Sequence, residues 1–264
     1  MRTLTIPLTE PAYLQAYLRE PDPKLTQKRF PAVIIVPGGG YTHIPKAQSE
    51  TLALAFVARG FQAFFLRYHF NNENPPLLPQ PIYDLGAAIR QLRQHAQKWY
   101  INPNQVAAAG FSVGGHIVSL YNGSWQRNWL QQNLHSDADT LKLNAAILSY
   151  PVIRLTAGWP TSKEKLASIA AQPDKFAADQ FVNPQCAPTF IWHTADDNLV
   201  PVKNSLLYLA ALNQFQVPFE AHIFHHGPHG LALANAQTAW KPDANQPHVA
   251  HWLDLATEWL QATL

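Results

Sequence analysis

Cysteine and charge are scarce in this chain, and each scarcity excludes a class of protein. The single cysteine among 264 residues, Cys186, has no partner for an internal disulfide and cannot build a thiolate metal cluster. Charged residues make up 14% of the chain, against roughly 25% in an average soluble domain, and the net charge is +2. A nucleic-acid-binding protein needs a concentrated basic face, and neither the number nor the spacing of Lys and Arg supplies one. We therefore expect no nucleic-acid partner.

Long apolar runs are missing as well. No run approaches the roughly 18 residues that a membrane-spanning helix needs, so no membrane partner is expected. Residues 1–7 contain neither a continuous apolar stretch nor a small-residue cleavage site, so no signal peptide is predicted. Hydrophobic residues nevertheless make up 47% of the chain, which argues against disorder. These features predict a soluble, cytoplasmic protein, and they leave open whether it forms a homo-oligomer.

The chain does contain a regular alternation of short apolar runs and helical periods. Eight runs are predicted as strands: 4–8, 13–18, 31–36, 61–67, 106–110, 144–150, 188–193 and 217–224. Helices are predicted at 48–59, 82–98, 113–121, 203–212 and 248–260, the last with Trp252, Leu255 and Trp259 inward. Residues 152–186 are less regular and are predicted as a small cap insertion. The alternation indicates one α/β domain over residues 1–264, with a mostly parallel sheet of about eight strands flanked by helices.

The strongest local motif is G-x-S-x-G, formed by Gly110, Ser112 and Gly114. It stands where a predicted strand ends and a predicted helix begins, which is the context that this motif requires. Strand and helix pass so close at such a turn that the residues two before and two after the serine must be very small. The serine is then strained and exposed at the edge of the sheet, above a helix N-terminus. Ser112 is therefore predicted to be a nucleophile.

A glycine-rich turn, Pro37-Gly38-Gly39-Gly40, follows the first long buried strand. In hydrolases with a G-x-S-x-G turn, a loop at this place supplies one N–H group to the oxyanion hole, and the residue after the nucleophile supplies another. Gly39 and Val113 are predicted in these two roles, with Gly40 as a further contributor. A phosphate-binding loop is the alternative, but the residues after Gly40 fit neither of its usual patterns.

Two aspartates and two histidines compete for the other catalytic roles. Asp196 and Asp197 follow the strand predicted at 188–193, and Asp197 is predicted as the acid, with Asp196 as the alternative. His229 lies past the last predicted strand and is predicted as the base, with His226 next. Histidines 222, 225, 226 and 229 could also form a zinc site, but no cysteine or carboxylate lies between them in sequence. No metal is therefore expected.

Taken together, these motifs resemble the α/β-hydrolase superfamily, and within it the small bacterial esterases of the acetylesterase and acetylxylan-esterase-like type. The matching segments are PGGGY at 37–41, LRYHF at 66–70, Asp84, AAAGFSVGGH at 107–116, WHTADDNLVPVKNS at 192–205 and HHGPHGLALA at 225–234. Two positions depart from the pattern, because Pro37 stands where relatives of the hormone-sensitive lipase carry His, and Thr194 where many relatives carry Gly.

The resemblance implies a carboxylesterase that cleaves short-chain acyl esters, often acetyl groups on sugars, through a serine triad and an acyl-enzyme. It implies a small-molecule ester as partner and no metal or organic cofactor. Trp159, Phe176 and Phe181 are candidates to wall a short acyl pocket, although core packing is the more common use of such residues. The alternatives are a small serine peptidase of the prolyl-oligopeptidase type and a non-catalytic binding protein on the same scaffold.

Overall fold

The computed structural model describes all 264 residues, and a sheet of eight strands runs through its centre. The strands are β1 (Arg2–Pro7), β2 (Tyr13–Leu18), β3 (Phe30–Val36), β4 (Gln62–Arg67), β5 (Ile101–Phe111), β6 (Ala145–Ser149), β7 (Thr189–Thr194) and β8 (Phe219–Phe224). Their order across the sheet is β1-β2-β4-β3-β5-β6-β7-β8. β2 is antiparallel to both β1 and β4, and every pair from β4 to β8 is parallel. The predicted mostly parallel sheet of about eight strands is confirmed.

Burial along the strands follows their place in the sheet. In β3, next to the centre, residues 32–36 are all buried, as a parallel strand covered on both faces requires. β5 beside it contributes the small residues 107–109, which let a helix approach the sheet closely. At the antiparallel edge, β1 alternates between half-buried and exposed residues, because one of its faces meets solvent.

Nine α-helices accompany the strands. They are α1 (Lys46–Ala58), α2 (Gln80–Gln94), α3 (Val113–Asn122), α4 (Asn128–Leu134), α5 (Ala138–Leu141), α6 (Lys163–Ile169), α7 (Lys203–Gln214), α8 (Pro247–Ala250) and α9 (Trp252–Thr263). The sequence did not predict α4 and α5. In α9, Trp252 is fully buried as predicted, but Leu255 and Trp259 are only partly buried, and Leu253, Ala256 and Leu260 form the rest of the inner face.

The helices form a layer on each side of the sheet. α2 packs on α3, and α3 and α7 both pack on the short turn at residues 178–181. On the other side, Arg59 after α1 forms an ion pair with Asp254 of α9, which places these two helices together. None of the helices combines the length and the apolar character that crossing a membrane would take.

The parallel strands set the position of the site, because their carboxyl ends lie at one edge of the sheet. The loops after β3, β5, β7 and β8 all open at this edge, and they carry the motifs at 37–41, 112, 196–197 and 225–230. The segment between β6 and β7 contains α6 and reaches across to the loop after β3, where Trp159 and Lys165 lie against Gly40.

Candidate active site

Ser112 occupies the turn between β5 and α3 with a backbone φ of +56°. This is the left-handed region, which costs a non-glycine residue roughly 1–3 kcal/mol. The two flanking glycines explain how so tight a turn is possible. A Cβ on Gly110 would lie 2.4 Å from the carbonyl oxygen of Gly114, and a Cβ on Gly114 would lie 1.9 Å from the carbonyl oxygen of Val36. No side chain fits at either position, so the turn depends on both glycines.

Three of the predicted residues form one hydrogen-bonded chain. Ser112 Oγ lies 2.8 Å from His229 Nε2, and His229 Nδ1 lies 2.7 Å from Asp197 Oδ2. A carboxylate can only accept, so Nδ1 carries the ring proton and Nε2 is left to accept from the serine hydroxyl. The arrangement is the one in which a histidine can take a proton from serine.

Asp197 is held as an anion in a buried position. Burial alone would raise its pKa, but hydrogen bonds from His193 and His229 and the N–H of Val200 outweigh that effect and hold the pKa of Asp197 well below its usual range. The N–H groups of Leu199 and Val200 both donate to Oδ1, at 2.9 and 3.0 Å. The carboxylate is therefore fixed in orientation from the backbone side as well as by histidine.

His193, to which the sequence analysis assigned no role, belongs to this network. Its ring is fully buried, and Nε2 lies 3.0 Å from the carbonyl oxygen of Val200 and 3.3 Å from Asp197 Oδ2. Both of these are acceptors, so Nε2 carries the proton, and Nδ1 accepts from Ser205 at 2.7 Å. The signal in the sequence was the spacing, because His193 precedes Asp197 by four residues at the end of one strand.

The alternative pair lies nearby but does not reach the serine. Asp196 Oδ2 is hydrogen-bonded to His226 Nδ1, and Asp196 Oδ1 accepts from the N–H of Gly227 at 2.9 Å. Both side chains are about half exposed. Neither residue is hydrogen-bonded to Ser112, so the geometry joins only Asp197 and His229 to the nucleophile.

The glycine-rich loop after β3 passes directly beside Ser112. A Cβ on Gly38 would lie 3.1 Å from Ser112 Cβ. Gly38 is therefore the glycine of this loop that lies against the serine, and the sequence analysis did not assign it a role. Gly39 and Gly40 have φ angles of +118° and +63°, which glycine adopts readily. The N–H groups of Gly39, Gly40 and Val113 donate to no protein acceptor, so they are available to a ligand.

His116, four residues after the serine on α3, ties this loop to its surroundings. Tyr41 donates to Nδ1 at 2.8 Å, and Nε2 donates to the carbonyl oxygen of Phe176 at 2.8 Å. Burial lowers the pKa of His116 to about 4, so the ring is neutral at physiological pH. The histidine therefore links the glycine-rich loop, the helix below the serine and the segment between β6 and β7.

A cavity of about 410 Å³ opens above Ser112. Of the three aromatic residues predicted as candidates for its wall, Trp159 lines it, whereas Phe176 and Phe181 do not. Tyr150 lines it as well and was missed from the sequence. Its hydroxyl accepts from the N–H of Ala232 at 3.0 Å, and its ring lies edge-on to that of His229, with centroids 4.9 Å apart. Tyr150 thus positions the histidine ring from the side.

Three of the histidines in and after β8 form hydrogen bonds with different carboxylates. His222 lies 2.9 Å from Glu220, His226 bonds to Asp196, and His229 bonds to Asp197. The protein contains no group of three or more His, Cys, Asp or Glu side chains arranged to hold a metal ion. The four histidines of this segment are therefore not arranged as a metal site.

Comparison with known proteins places this chain in a family. The BD-FAE family matches residues 21–212. The chain is 34% identical to endo-1,4-beta-xylanase B of Butyrivibrio fibrisolvens, over 84% of this chain and 35% of that protein. It is 27% identical to the acetylxylan esterase of Xylanibacter ruminicola, over 76% of this chain and 41% of that protein. The chain thus spans less than half the length of these two curated relatives.

A solved structure matches over nearly its whole length. The carboxylesterase Cest-2923 from Lactobacillus plantarum WCFS1 superimposes with a TM-score of 0.91 at 33% identity, covering 99% of this chain and 96% of that one. The predicted α/β-hydrolase fold is therefore confirmed. The chain belongs to the BD-FAE family and is an α/β-hydrolase of the carboxylesterase type.

Proposed function

We propose that this chain hydrolyses short-chain acyl esters, acetyl esters among them, as a serine esterase. The observation that carries the proposal is the hydrogen-bonded chain from Asp197 through His229 to Ser112, which ends at the floor of the cavity. The names of the relatives support the same chemistry, since one is an acetylxylan esterase and one a carboxylesterase. Acetylated sugars are therefore included in the proposed substrate class.

The proposed reaction has two halves. In the first, His229 Nε2 takes the hydroxyl proton as Ser112 Oγ attacks the ester carbonyl, and His229 then gives that proton to the leaving alcohol. In the second, water loses a proton to His229 and attacks the acyl-enzyme, which releases the acid and restores Ser112. Asp197 keeps the imidazole in the required tautomer and stabilises its charged form in both halves.

The carbonyl oxygen becomes negatively charged in each half and needs donors beside Ser112. The proposal assigns this role to the N–H groups of Gly39 and Val113, with Gly40 contributing. These groups are unpaired in the protein, and Val113 also begins α3, whose N-terminus adds a partial positive charge. A single donor of this kind is worth about 3–4 kcal/mol of transition-state stabilisation.

The proposed preference for short acyl groups rests on the segment that borders the cavity. The cavity measures about 410 Å³ and is bounded by Tyr150 and Trp159. The proposal treats residues 152–186 as a small cap, because this segment carries Trp159 and α6 to the glycine-rich loop. The proposal takes this segment as the limit on the acyl chain, and esters of increasing chain length measure where that limit lies.

The first prediction tests the nucleophile. Ser112→Ala is expected to lower the kcat for p-nitrophenyl acetate by at least about 10⁴-fold, because no other group can form the acyl-enzyme. A fluorophosphonate probe should label the wild-type protein and not the variant. A panel of p-nitrophenyl esters from C2 to C12, run beside acetylated sugars, then defines the acyl and alcohol ranges.

Ser119→Ala is the matched control. Ser119 is a buried serine on the same helix, and its hydroxyl donates to the carbonyl oxygen of His116. This variant should keep both its activity and its labelling. Unchanged turnover by Ser112→Ala would overturn the proposed function.

A further inference from the structure

The cavity above Ser112 is lined by one lysine, Lys165 of α6, and by no arginine, aspartate or glutamate. The ammonium lies 5.0 Å from the centre of the Trp159 ring. It also lies 3.0 Å from the point where a Cβ on Gly40 would be. It is therefore held between the wall of the cavity and the glycine-rich loop.

This ammonium has no anionic partner in the protein. None of the ion pairs involves Lys165, and the nearby Glu164 is instead hydrogen-bonded to Ser162 at 2.6 Å. The aromatic ring attracts the charge through its face but supplies no hydrogen-bond acceptor of the strength of a carboxylate. The donors of Lys165 are thus available to a ligand in the cavity.

A second lysine near the site shows the contrast. Lys241 lies 4.8 Å from the centre of the Trp240 ring, on a groove beside the cavity that also includes His229. Its ammonium is only 2.9 Å from Asp243 Oδ2. Of the two lysines that stand over tryptophan next to the site, one is neutralised by a carboxylate of the protein and the other is not.

We propose that Lys165 binds a carboxylate of the substrate, so that the preferred ester carries one negative charge. The inference rests on the proposed ester hydrolysis and narrows its substrate class. The unpaired N–H groups of the glycine-rich loop and the N-terminus of α3 add to the positive potential around the cavity. The carboxylate can belong to the acyl part or to the alcohol part of the ester.

The distance from Ser112 limits where the carboxylate sits. Gly38 lies against Ser112, and Gly40 follows two residues later, so their Cα atoms are at most about 7 Å apart. Ser112 and the Lys165 ammonium therefore both lie against the same short stretch of loop, from Gly38 to Gly40. Succinyl esters and acetyl esters of hydroxybenzoate carry a carboxylate at two different distances from the ester carbonyl, so they sample this stretch.

Two matched pairs of esters test the proposal. On the acyl side, p-nitrophenyl hemisuccinate is compared with p-nitrophenyl levulinate, each corrected for its rate without enzyme. On the alcohol side, 4-acetoxybenzoate is compared with 4-acetoxyacetophenone. In both pairs a methyl ketone replaces the carboxylate at nearly constant shape. The two members also differ in intrinsic reactivity, so every enzymatic rate is divided by the rate of the same ester without enzyme.

Wild-type protein is expected to prefer the anionic member of one pair, and that pair identifies which part of the substrate meets Lys165. Lys165→Met should lower kcat/KM for that anionic ester by about 10-fold or more, mainly through KM, and change the neutral ester by less than about 2-fold. Lys165→Arg should keep most of the preference, and added salt should reduce it.

Lys241→Met is the matched control, and it should leave the preference for the anionic ester unchanged. The proposal is overturned if wild-type protein prefers the neutral member of both pairs, or if Lys165→Met slows the anionic and neutral esters equally. Hydrolysis of p-nitrophenyl acetate separates this failure from that of the proposed function. If p-nitrophenyl acetate is cleaved but neither matched pair shows a preference for its anionic member, only the inference about Lys165 is wrong.

Discussion

Asp196 and Asp197 are neighbours in the loop after β7, and each accepts a hydrogen bond from a histidine in the loop after β8. Their surroundings differ sharply. The side chain of Asp197 is fully buried, and its histidine, His229, is 11% exposed and bonds to Ser112. The side chains of Asp196 and His226 are 48% and 59% exposed and meet no nucleophile.

The comparison shows that an aspartate–histidine pair gains its chemical role from its position. The two pKa values are lowered for different reasons. For Asp196 the main cause is the hydrogen bond from His226, made in water. For Asp197 several hydrogen bonds act against a burial that would raise the pKa. Only the buried pair acts in a low dielectric, where a fixed carboxylate strongly stabilises a charged imidazole.

Asp197→Asn gives the largest effect that this comparison predicts. The amide can donate to Nδ1 of His229, which moves the ring proton to Nε2 and removes the acceptor that Ser112 needs. We expect kcat for p-nitrophenyl acetate to fall roughly 10⁴-fold. Steady-state kinetics, with fluorophosphonate labelling to count reactive serines, measure the loss.

The substitution is nearly isosteric, and Asn can still accept the N–H groups of Leu199 and Val200 through its carbonyl oxygen. The variant should therefore fold, which near-UV circular dichroism can check. If Asp197→Asn kept normal activity and Asp196→Asn lost it, the roles of the two aspartates would have to be exchanged.

The pH dependence of stability gives a smaller effect. The pKa of Asp197 is lowered in the folded protein, whereas an unfolded chain protonates aspartate near pH 3.9. Its contribution to stability is thus complete above about pH 5 and is lost as the pH falls below about 4, because the unfolded chain takes up the proton first. Asp197→Asn removes this contribution.

Urea unfolding at pH 5, 4 and 3 measures the difference. The free energy of unfolding should fall less steeply with decreasing pH in Asp197→Asn than in wild type, with a difference approaching about 1.4 kcal/mol per pH unit, the limit for one proton. Asp196→Asn should differ less from wild type, because solvent screens its exposed pair. Equal slopes in all three proteins would contradict the assigned difference in environment.

Much of the fold could be predicted from the sequence, because its signals are local. Continuous apolar runs such as 31–36 mark strands buried on both faces, and all eight predicted strands are present. The helices α4 and α5 were missed because they are short, with seven and four residues, and show little periodicity. α4 is stabilised by packing instead, since Leu134 fills the space beside Gly86 of α2.

The residues of the site that belong to sequence motifs could be predicted. Ser112 and the loop at 37–41 stand out by their glycines, and the geometry joins the predicted Asp197 and His229 to the serine. The role of His193 was overlooked, although its spacing of four residues from Asp197 pointed to it. The role of Tyr150 could not be predicted, because it depends on a contact between distant segments. Lys165 is similar, since only folding brings α6 to the glycine-rich loop.

Asp196→Asn is expected to have the smallest effect, a decrease in kcat of about 2-fold to 5-fold. Asp196 bonds both to His226 and to the N–H of Gly227, and so it ties the loop that carries His229 to the loop after β7. Weakening a solvent-exposed ion pair costs little energy, and it should displace His229 only slightly. His226→Asn breaks the same contact from the other side and should match Asp196→Asn in kcat within about 2-fold. A loss near that of Asp197→Asn in either variant would show that the exposed pair takes part in the chemistry. Equal, small losses of kcat in both variants would show that the exposed pair only helps to position His229.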